Sequence, residues 1–171
     1  RRQRGSISND KPIIGEYGVN KEGSGDMYNK GSWILHTIRS IVNNDSIWFS
    51  TLKQFHEDFR LKNTNSTVVF NWFEIKLGKD IRDIMERFLT RSDIPILEYK
   101  TKRFLWIKKV EYRWKNEKVK FNMPIEILEG EDTFKVIPTS NWQKIKVSGF
   151  DKMRSRFNWK PFLYDIAEVK K

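Results

Sequence analysis

The period of the apolar positions changes once, near residue 93, and divides the chain into a helical and a stranded part. From Asp26 onward apolar residues recur every three or four positions. Met27, Gly31, Ile34 or Leu35, Ile38 and Ile41 or Val42 line one side of a predicted helix, which Asn43-Asn44-Asp45 breaks. Asp26 or Ser24 stands where the start of that helix needs a cap. Asp45 caps a second predicted helix, with Trp48, Leu52, Phe55 and Phe59 as its buried stripe. Asn63-Thr64-Asn65-Ser66 reads as a loop ending in a capping hydroxyl, and a third helix carries Val69, Trp72, Phe73 and Leu77. Gly78 follows its last apolar residue, where a glycine stops a helix. Asp80 caps a fourth, with Ile81, Ile84, Met85, Phe88 and Leu89 on one side. Four short amphipathic helices can bury each other's stripes, although they lie near the lower size limit for a stable domain.

After Ser92-Asp93 the period falls to two. Ile94-Pro95-Ile96-Leu97-Glu98-Tyr99 reads as a strand, with the proline at its start or on an edge. Phe104, Trp106, Val110, Tyr112 and Trp114 then alternate with mostly charged or polar neighbours, interrupted at Lys108. Further strands are predicted at about Met123–Glu129, Phe134–Pro138, Trp142–Val147 and Phe162–Val169, with Gly130-Glu131-Asp132 as a hairpin turn. The expected fold class is α+β: a helical segment over residues 1–93, then an antiparallel β-sandwich over residues 94–171. Ahead of the first helix, residues 5–25 hold Pro12, Gly15, Gly18, Gly23 and Gly25 and predict an extended, turn-filled segment. Ile13, Ile14, Tyr17 and Val19 are positioned to tack it onto a core, and a loop of this length is more often functional than decorative.

Composition narrows the class. A chain of 171 residues with 38% hydrophobic and 14% aromatic content can build a real core, which excludes wholesale disorder. No apolar run approaches the ~20 residues of a bilayer span, and residues 1–30 contain no hydrophobic signal-peptide core. Arg1-Arg2-Gln3-Arg4 reads as the frayed end of an element that begins upstream, so the expectation is a piece of a longer polypeptide. The compartment of the parent then stays open, a secreted or periplasmic one included. With no cysteine, the chain has no disulfide, thiol nucleophile or cysteine metal ligand. The net charge of +11 raises anionic partners. Its distribution argues against a dedicated nucleic-acid patch: residues 1–92 hold 15 basic and 11 acidic side chains, residues 93–171 hold 18 and 11, and the two signs interleave.

Searches for self-contained chemistry end in near misses. His56-Glu57-Asp58-Phe59-Arg60 resembles the H-E-x-x-H zinc helix until Arg60 replaces the second histidine with a cation that cannot bind zinc. The other histidine, His36, is followed by Thr37-Ile38-Arg39-Ser40. No G-x-S-x-G elbow and no G-x-x-x-x-G-K-[ST] phosphate loop is present. The adjacent acids Glu57 and Asp58 point in different directions on a helix. The aromatic and basic stretch Phe104–Lys120 suits either single-stranded nucleic acid or, more simply, a sandwich core with lysines in water. Tyr28, beside Lys30 and Gly31 at the mouth of the first long helix, carries a phenol that can donate to a developing oxyanion. On local residues alone, a tyrosine there is more simply a solvent-facing side chain.

A resemblance bears on that choice. Asp26-Met27-Tyr28-Asn29-Lys30-Gly31-Ser32-Trp33-Ile34-Leu35-His36-Thr37-Ile38-Arg39 resembles the Y-x-K-G-(small)-x-x-L-H-x-(L/I)-R segment of the alanyl-aminopeptidase, or gluzincin, family of zinc peptidases. Arg87 to Tyr99, with Phe88-Leu89, Ile94-Pro95, Leu97 and Tyr99, is similar to the (W/Y)-L-x-x-x-x-(I/V)-P-x-L-x-Y junction of the same proteins. There the helical end of the catalytic domain passes into a β-sandwich. Asn122-Met123-Pro124-Ile125 and Pro138 to Gln143 resemble that sandwich, so the likeness covers essentially the whole chain.

The resemblance implies that Tyr28 stabilises the oxyanion of peptide-bond hydrolysis and that Lys30 and Gly31 are structural residues near that site. The family's zinc ligands and general-base glutamate lie in an upstream H-E-x-x-H segment and a later glutamate, and its amine-binding G-x-M-E-N is likewise absent here. It therefore implies a C-terminal fragment, inactive alone and binding no metal itself. The parent would use zinc, and the partners would be the upstream catalytic half and a peptide substrate. Two other readings stand beside it: a noncatalytic homologue, and a basic β-sandwich module for acidic ligands or single strands.

Overall fold

In the computed structural model of the chain, residues 2–15, 18, 23–104, 107–118, 120–148 and 153–170 are described. Tyr17, Val19 and Trp106, which figure in the sequence reading, fall outside them, as do the side chains of Phe104 and Lys108. The chain divides into two compact units, Arg1–Ser92 and Asp93–Lys171.

The first unit is helical: a single turn α1 (Arg2–Gly5), then α2 (Asp26–Val42), α3 (Asp45–Phe59), α4 (Ser66–Leu77) and α5 (Arg82–Thr90). Each helix packs on the next in sequence. Two of the helix starts sit one residue earlier than predicted, because asparagines do the capping. Asn44 Oδ1 accepts from the Ile47 amide at 3.1 Å and Asn65 Oδ1 from the Val68 amide at 3.0 Å. Asp45 instead holds Arg39 in a two-pronged ion pair. Gly78 ends α4 in the left-handed conformation, its N–H donating to Glu74 O. Ile81 stands at the N-cap of α5 and offers no side-chain cap. Glu74 reaches across from α4, its Oε1 accepting from the Arg82 amide at 2.9 Å while Oε2 holds the Arg82 guanidinium.

Trp33, Ile34, Ile38, Trp48, Phe70, Phe73, Leu77, Ile81, Ile84, Met85 and Phe88 form the core of this unit. Phe55, Phe59, Trp72 and Phe73 make a ring cluster beside it, with Trp72 Nε1 donating to Asp58 at 2.9 Å. The α2 stripe differs from the prediction. Its buried side runs through Asp26, Lys30, Trp33, Ile34, Thr37 and Ile38, while Met27 and Leu35 are about half exposed. Two polar residues have rotated the helix: Asp26 and Lys30 find hydrogen-bond partners inside, and the apolar residues beside them turn outward. Among the described residues no helix is long and apolar enough to cross a membrane.

The second unit holds β1 (Ile96–Phe104), β2 (Ile107–Trp114), β3 (Ile125–Glu129), β4 (Asp132–Val136), β5 (Gln143–Ser148), a single turn α6 (Met153–Arg156), β6 (Phe157–Asn158) and β7 (Asp165–Glu168). They form a four-stranded sheet, β5-β2-β1-β7, and a three-stranded sheet, β4-β3-β6. Leu97, Tyr99, Val110, Tyr112 and Trp114 alternate inward as the period of two requires. Tyr99 on β1 meets Phe157 on β6 at 5.3 Å, and Trp114 meets Phe121 and Tyr164 edge-on, so both sheets feed one core. The fold class is α+β, with helices first and antiparallel-rich sheets after.

The last strand departs from the antiparallel expectation. β7 runs parallel to β1, held by Asp165 N donating to Pro95 O and Val169 N to Tyr99 O, each at 2.8 Å. It is also shorter than Phe162–Val169. Phe162, Leu163 and Tyr164 are all fully buried, which a half-buried strand cannot arrange, because successive side chains would face opposite sides. They plug the core as a loop instead.

Candidate functional site

The start of α2 is built by a polar frame that the chain supplies from residues 8–26. The carboxylate of Asp26, 2% exposed, accepts from the amides of Ser8 and Asn9, both at 2.8 Å. Asn9 adopts a left-handed backbone with φ 56°, which lets two successive N–H groups converge on one anion. The negative charge also sits in the first turn of α2, where the helix dipole favours it. Buried Ser24 accepts from the Asp26 amide at 3.1 Å and donates to Asp10 Oδ1 at 2.5 Å. The loop can close this tightly because residue 23 is glycine. A Cβ there would lie 2.3 Å from the backbone oxygen of Ile13. The loop is tied to α5 by the Ile14 amide, which donates to Leu89 O at 2.9 Å.

The Ser24 hydroxyl and the Lys11 amide hold the Asp10 carboxyl below the usual carboxylate range. A depressed carboxyl pKa stabilises the fold at pH above the unfolded value and loses that contribution as pH falls through the folded one. The Ser24 and Lys11 amide resonances are therefore expected to titrate together, with a midpoint under the ordinary aspartate value of about 3.9. A midpoint at or above that value would show that the Asp10–Ser24 clamp is open in solution.

One turn further, Lys30 is 1% exposed and its Nζ donates to Arg91 O at 2.6 Å and Ser92 O at 2.8 Å. Those carbonyls lie just beyond the last helical residue of α5, where backbone acceptors have no helical partner and a cation is favourably placed. Lys30 thus ties the first turns of α2 to the end of α5. With Asp26 and Lys30 held inside, Tyr28 is turned out. Its side chain is 73% exposed, flanked by Met27 at 52% and, two turns along, Leu35 at 45%. Gly31 lies between Tyr28 and Leu35 on this side, with no atom within 4 Å of where a Cβ would stand. The result is an outward apolar strip with a phenol at one end, on a helix pinned from behind.

His36 and His56 lie on separate helices, α2 and α3, both exposed, with the His36 ring edge-on to Trp33. Among the described residues no group of three or more His, Cys, Asp or Glu side chains is clustered as a metal site would require. Tyr112 and Trp114, two of the aromatics in the stretch suited to stacking on bases, are buried in the sheet core. Sequence reasoning missed the burial of Asp26 and the bond from Ser24 to exposed Asp10. The bonds of Asp26 to Ser8 and Asn9 and of Ser24 to Asp10 span 14 to 18 residues, and no local spacing signals them.

No family model matches the chain, and no curated protein matches it in sequence. Among solved structures it is similar to Legionella pneumophila aminopeptidase A, crystallised in complex with aspartic acid. The two are 13% identical with a TM-score of 0.56, over 73% of this chain and 15% of that one. The likeness is one of fold, and the chain spans a small part of that enzyme's length.

Proposed function

We propose that the chain is the C-terminal part of a zinc aminopeptidase and that Tyr28 is its contribution to the active site. One observation carries the reading: a tyrosine 73% exposed on the first turn of a helix whose opposite side is locked by buried Asp26 and Lys30. A phenol held on so fixed a base can meet a substrate oxygen without reorganising, which is what oxyanion stabilisation requires. The fold likeness to part of an aminopeptidase supports the same reading. On this reading the metal ligands and the water-activating base belong to the upstream half. This chain supplies a hydrogen bond: the Tyr28 O–H donates to the carbonyl oxygen of the scissile peptide as negative charge gathers there. Lys30 fixes the helix, Gly31 keeps its outer side open, and the second unit serves as a structural β domain.

The chain alone is expected to hydrolyse no aminoacyl-p-nitroanilide and to keep no stoichiometric zinc after dialysis. Adding the upstream half should restore hydrolysis. Turnover or one tightly held zinc in the isolated chain overturns the reading. Gly31→Ala then separates the exposed strip from the fold. With open space at that position, alanine should stabilise the isolated chain by about 0.5–1 kcal/mol through its better helix propensity. The same methyl should weaken assembly with the upstream half, measured as the concentration of that half needed for full activity. Unchanged assembly would place the partner elsewhere.

A further inference from the structure

The outer face of the four-stranded sheet carries its charges in rows fixed by strand register. In one row Glu98 stands opposite Arg113, which it binds at 2.8 Å, with Lys115 at 3.8 Å. In the next, Glu111 stands between Lys100 and Lys144, at 3.1 and 3.8 Å. The third row has no carboxylate. Lys109 on β2 pairs with Lys146 on β5 and, on its other side, with Lys102 on β1. Lys109 and Lys146 are both exposed, and neither makes an ion pair among the described residues. Like charges directly opposite one another on adjacent strands destabilise a sheet. A shallow depression of about 420 Å³ opens here, lined by Lys109, Glu111, Lys144, Ile145 and Lys146.

Lysines on an edge strand are commonly a guard against unwanted pairing, and that accounts for Lys144 and Lys146 on β5. It does not account for Lys109, which lies on the interior strand β2, where no edge needs guarding. We infer that this row is an anion-binding surface and that its occupant is an extended acidic polypeptide segment laid along the free edge of β5. Among the described residues β5 is bonded on one side only, to β2, so its other edge presents backbone donors and acceptors. Lys144 and Lys146 are two residues apart, roughly 6.8 Å along a strand. A segment with Asp or Glu at every second position repeats its carboxylates at that same interval on one face. Backbone pairing would supply affinity and the alternating carboxylates would supply selectivity, as in other cases of strand addition. Nucleic acid fits less well. Tyr112 and Trp114 face the core, and Trp142 already has Lys100 Nζ at 4.0 Å and the Arg113 guanidinium at 4.5 Å from its ring centre. Among the described residues no open aromatic ring is left for bases in this row. The inference is independent of the role assigned to Tyr28, because it concerns residues of the second unit alone.

The test uses the full chain and a short fluorescein-labelled peptide alternating Glu with Thr, followed by fluorescence anisotropy at low and at physiological salt. Saturable binding that weakens with salt is expected, because exposed charges are screened. Lys109→Gln with Lys146→Gln should weaken it by about tenfold. That double variant should also unfold at a higher urea concentration than the wild type, since it removes a like-charge pair. Lys62→Gln with Lys79→Gln, on exposed positions of the first unit, should leave binding unchanged. A peptide of the same composition with its glutamates in one block should bind more weakly. No saturable binding, equal loss in both double variants, or equal affinity for the blocked peptide overturns the inference. So does tighter binding of a single-stranded oligonucleotide of equal charge, which would assign the row to nucleic acid.

Discussion

Replacing Tyr28 by phenylalanine is expected to lower kcat of the assembled peptidase by about 10²–10³, the usual effect of removing one oxyanion donor. The phenol is largely in solvent, and its hydroxyl makes no hydrogen bond among the described residues. The substitution should therefore leave stability within about 0.5 kcal/mol, as surface changes do. KM should move little, because a donor that acts as charge develops contributes mainly in the transition state. Steady-state kinetics on enzyme with its full zinc content, beside a urea melt of the same preparation, reads both quantities. Wild-type turnover in the variant would sink the oxyanion role. A fall in kcat matched by a loss of stability would instead make Tyr28 a packing residue at the contact with the upstream half.

Lys30→Met has the second largest expected effect, and on a different observable. Methionine keeps the apolar stem and removes the ammonium, so Arg91 O and Ser92 O both lose their donor. Hydrogen bonds from a charged group contribute more than neutral ones, and a buried acceptor left without a partner loses its hydration as well. The loss should be on the order of 3 kcal/mol, read as a lower urea midpoint for the helical unit. Hydrogen exchange at the start of α2 and the end of α5 should speed up together, because the lysine is what joins them. A loss under about 1 kcal/mol would mean that water replaces the ammonium at those carbonyls.

The helices were legible in the sequence because strong apolar runs alternate with asparagine and glycine punctuation. Asn44, Asn65 and Gly78 each act within three or four residues of the group they serve, so local spacing carries the information. The orientation of α2 was not legible. Asp26 and Lys30 look like surface residues until Ser8, Asn9, Arg91 and Ser92 are brought to them, and their bonds span 17 to 62 residues. Alternation marked Val110 to Trp114 of β2, but it also drew Phe104 into the same run, whereas Phe104 ends β1 and pairs with Ile107 across the hairpin. The two-residue β6 is too short to alternate, and Phe162-Leu163-Tyr164 is apolar enough to pass for strand while forming a buried loop. Tyr28, Lys30 and Gly31 were singled out by resemblance to a peptidase segment, not by their local chemistry. The structure adds a distinction among them that spacing does not carry: one side chain turned out, one locked in, and one absent.

The two bonds of Lys30 also set an order of events during synthesis. They join residues 61 and 62 positions apart, so the first turns of α2 can be drawn and capped long before they can be fixed. Closing so long a loop is entropically costly and comes late relative to local helix formation. On a ribosome, the helix bearing Tyr28 is complete in outline once Val42 has emerged. It acquires its rear anchor only when Ser92 has followed. A nascent chain halted at Thr90 would carry every residue of α2 through α5 and still lack the two carbonyls that hold the tyrosine's helix in place.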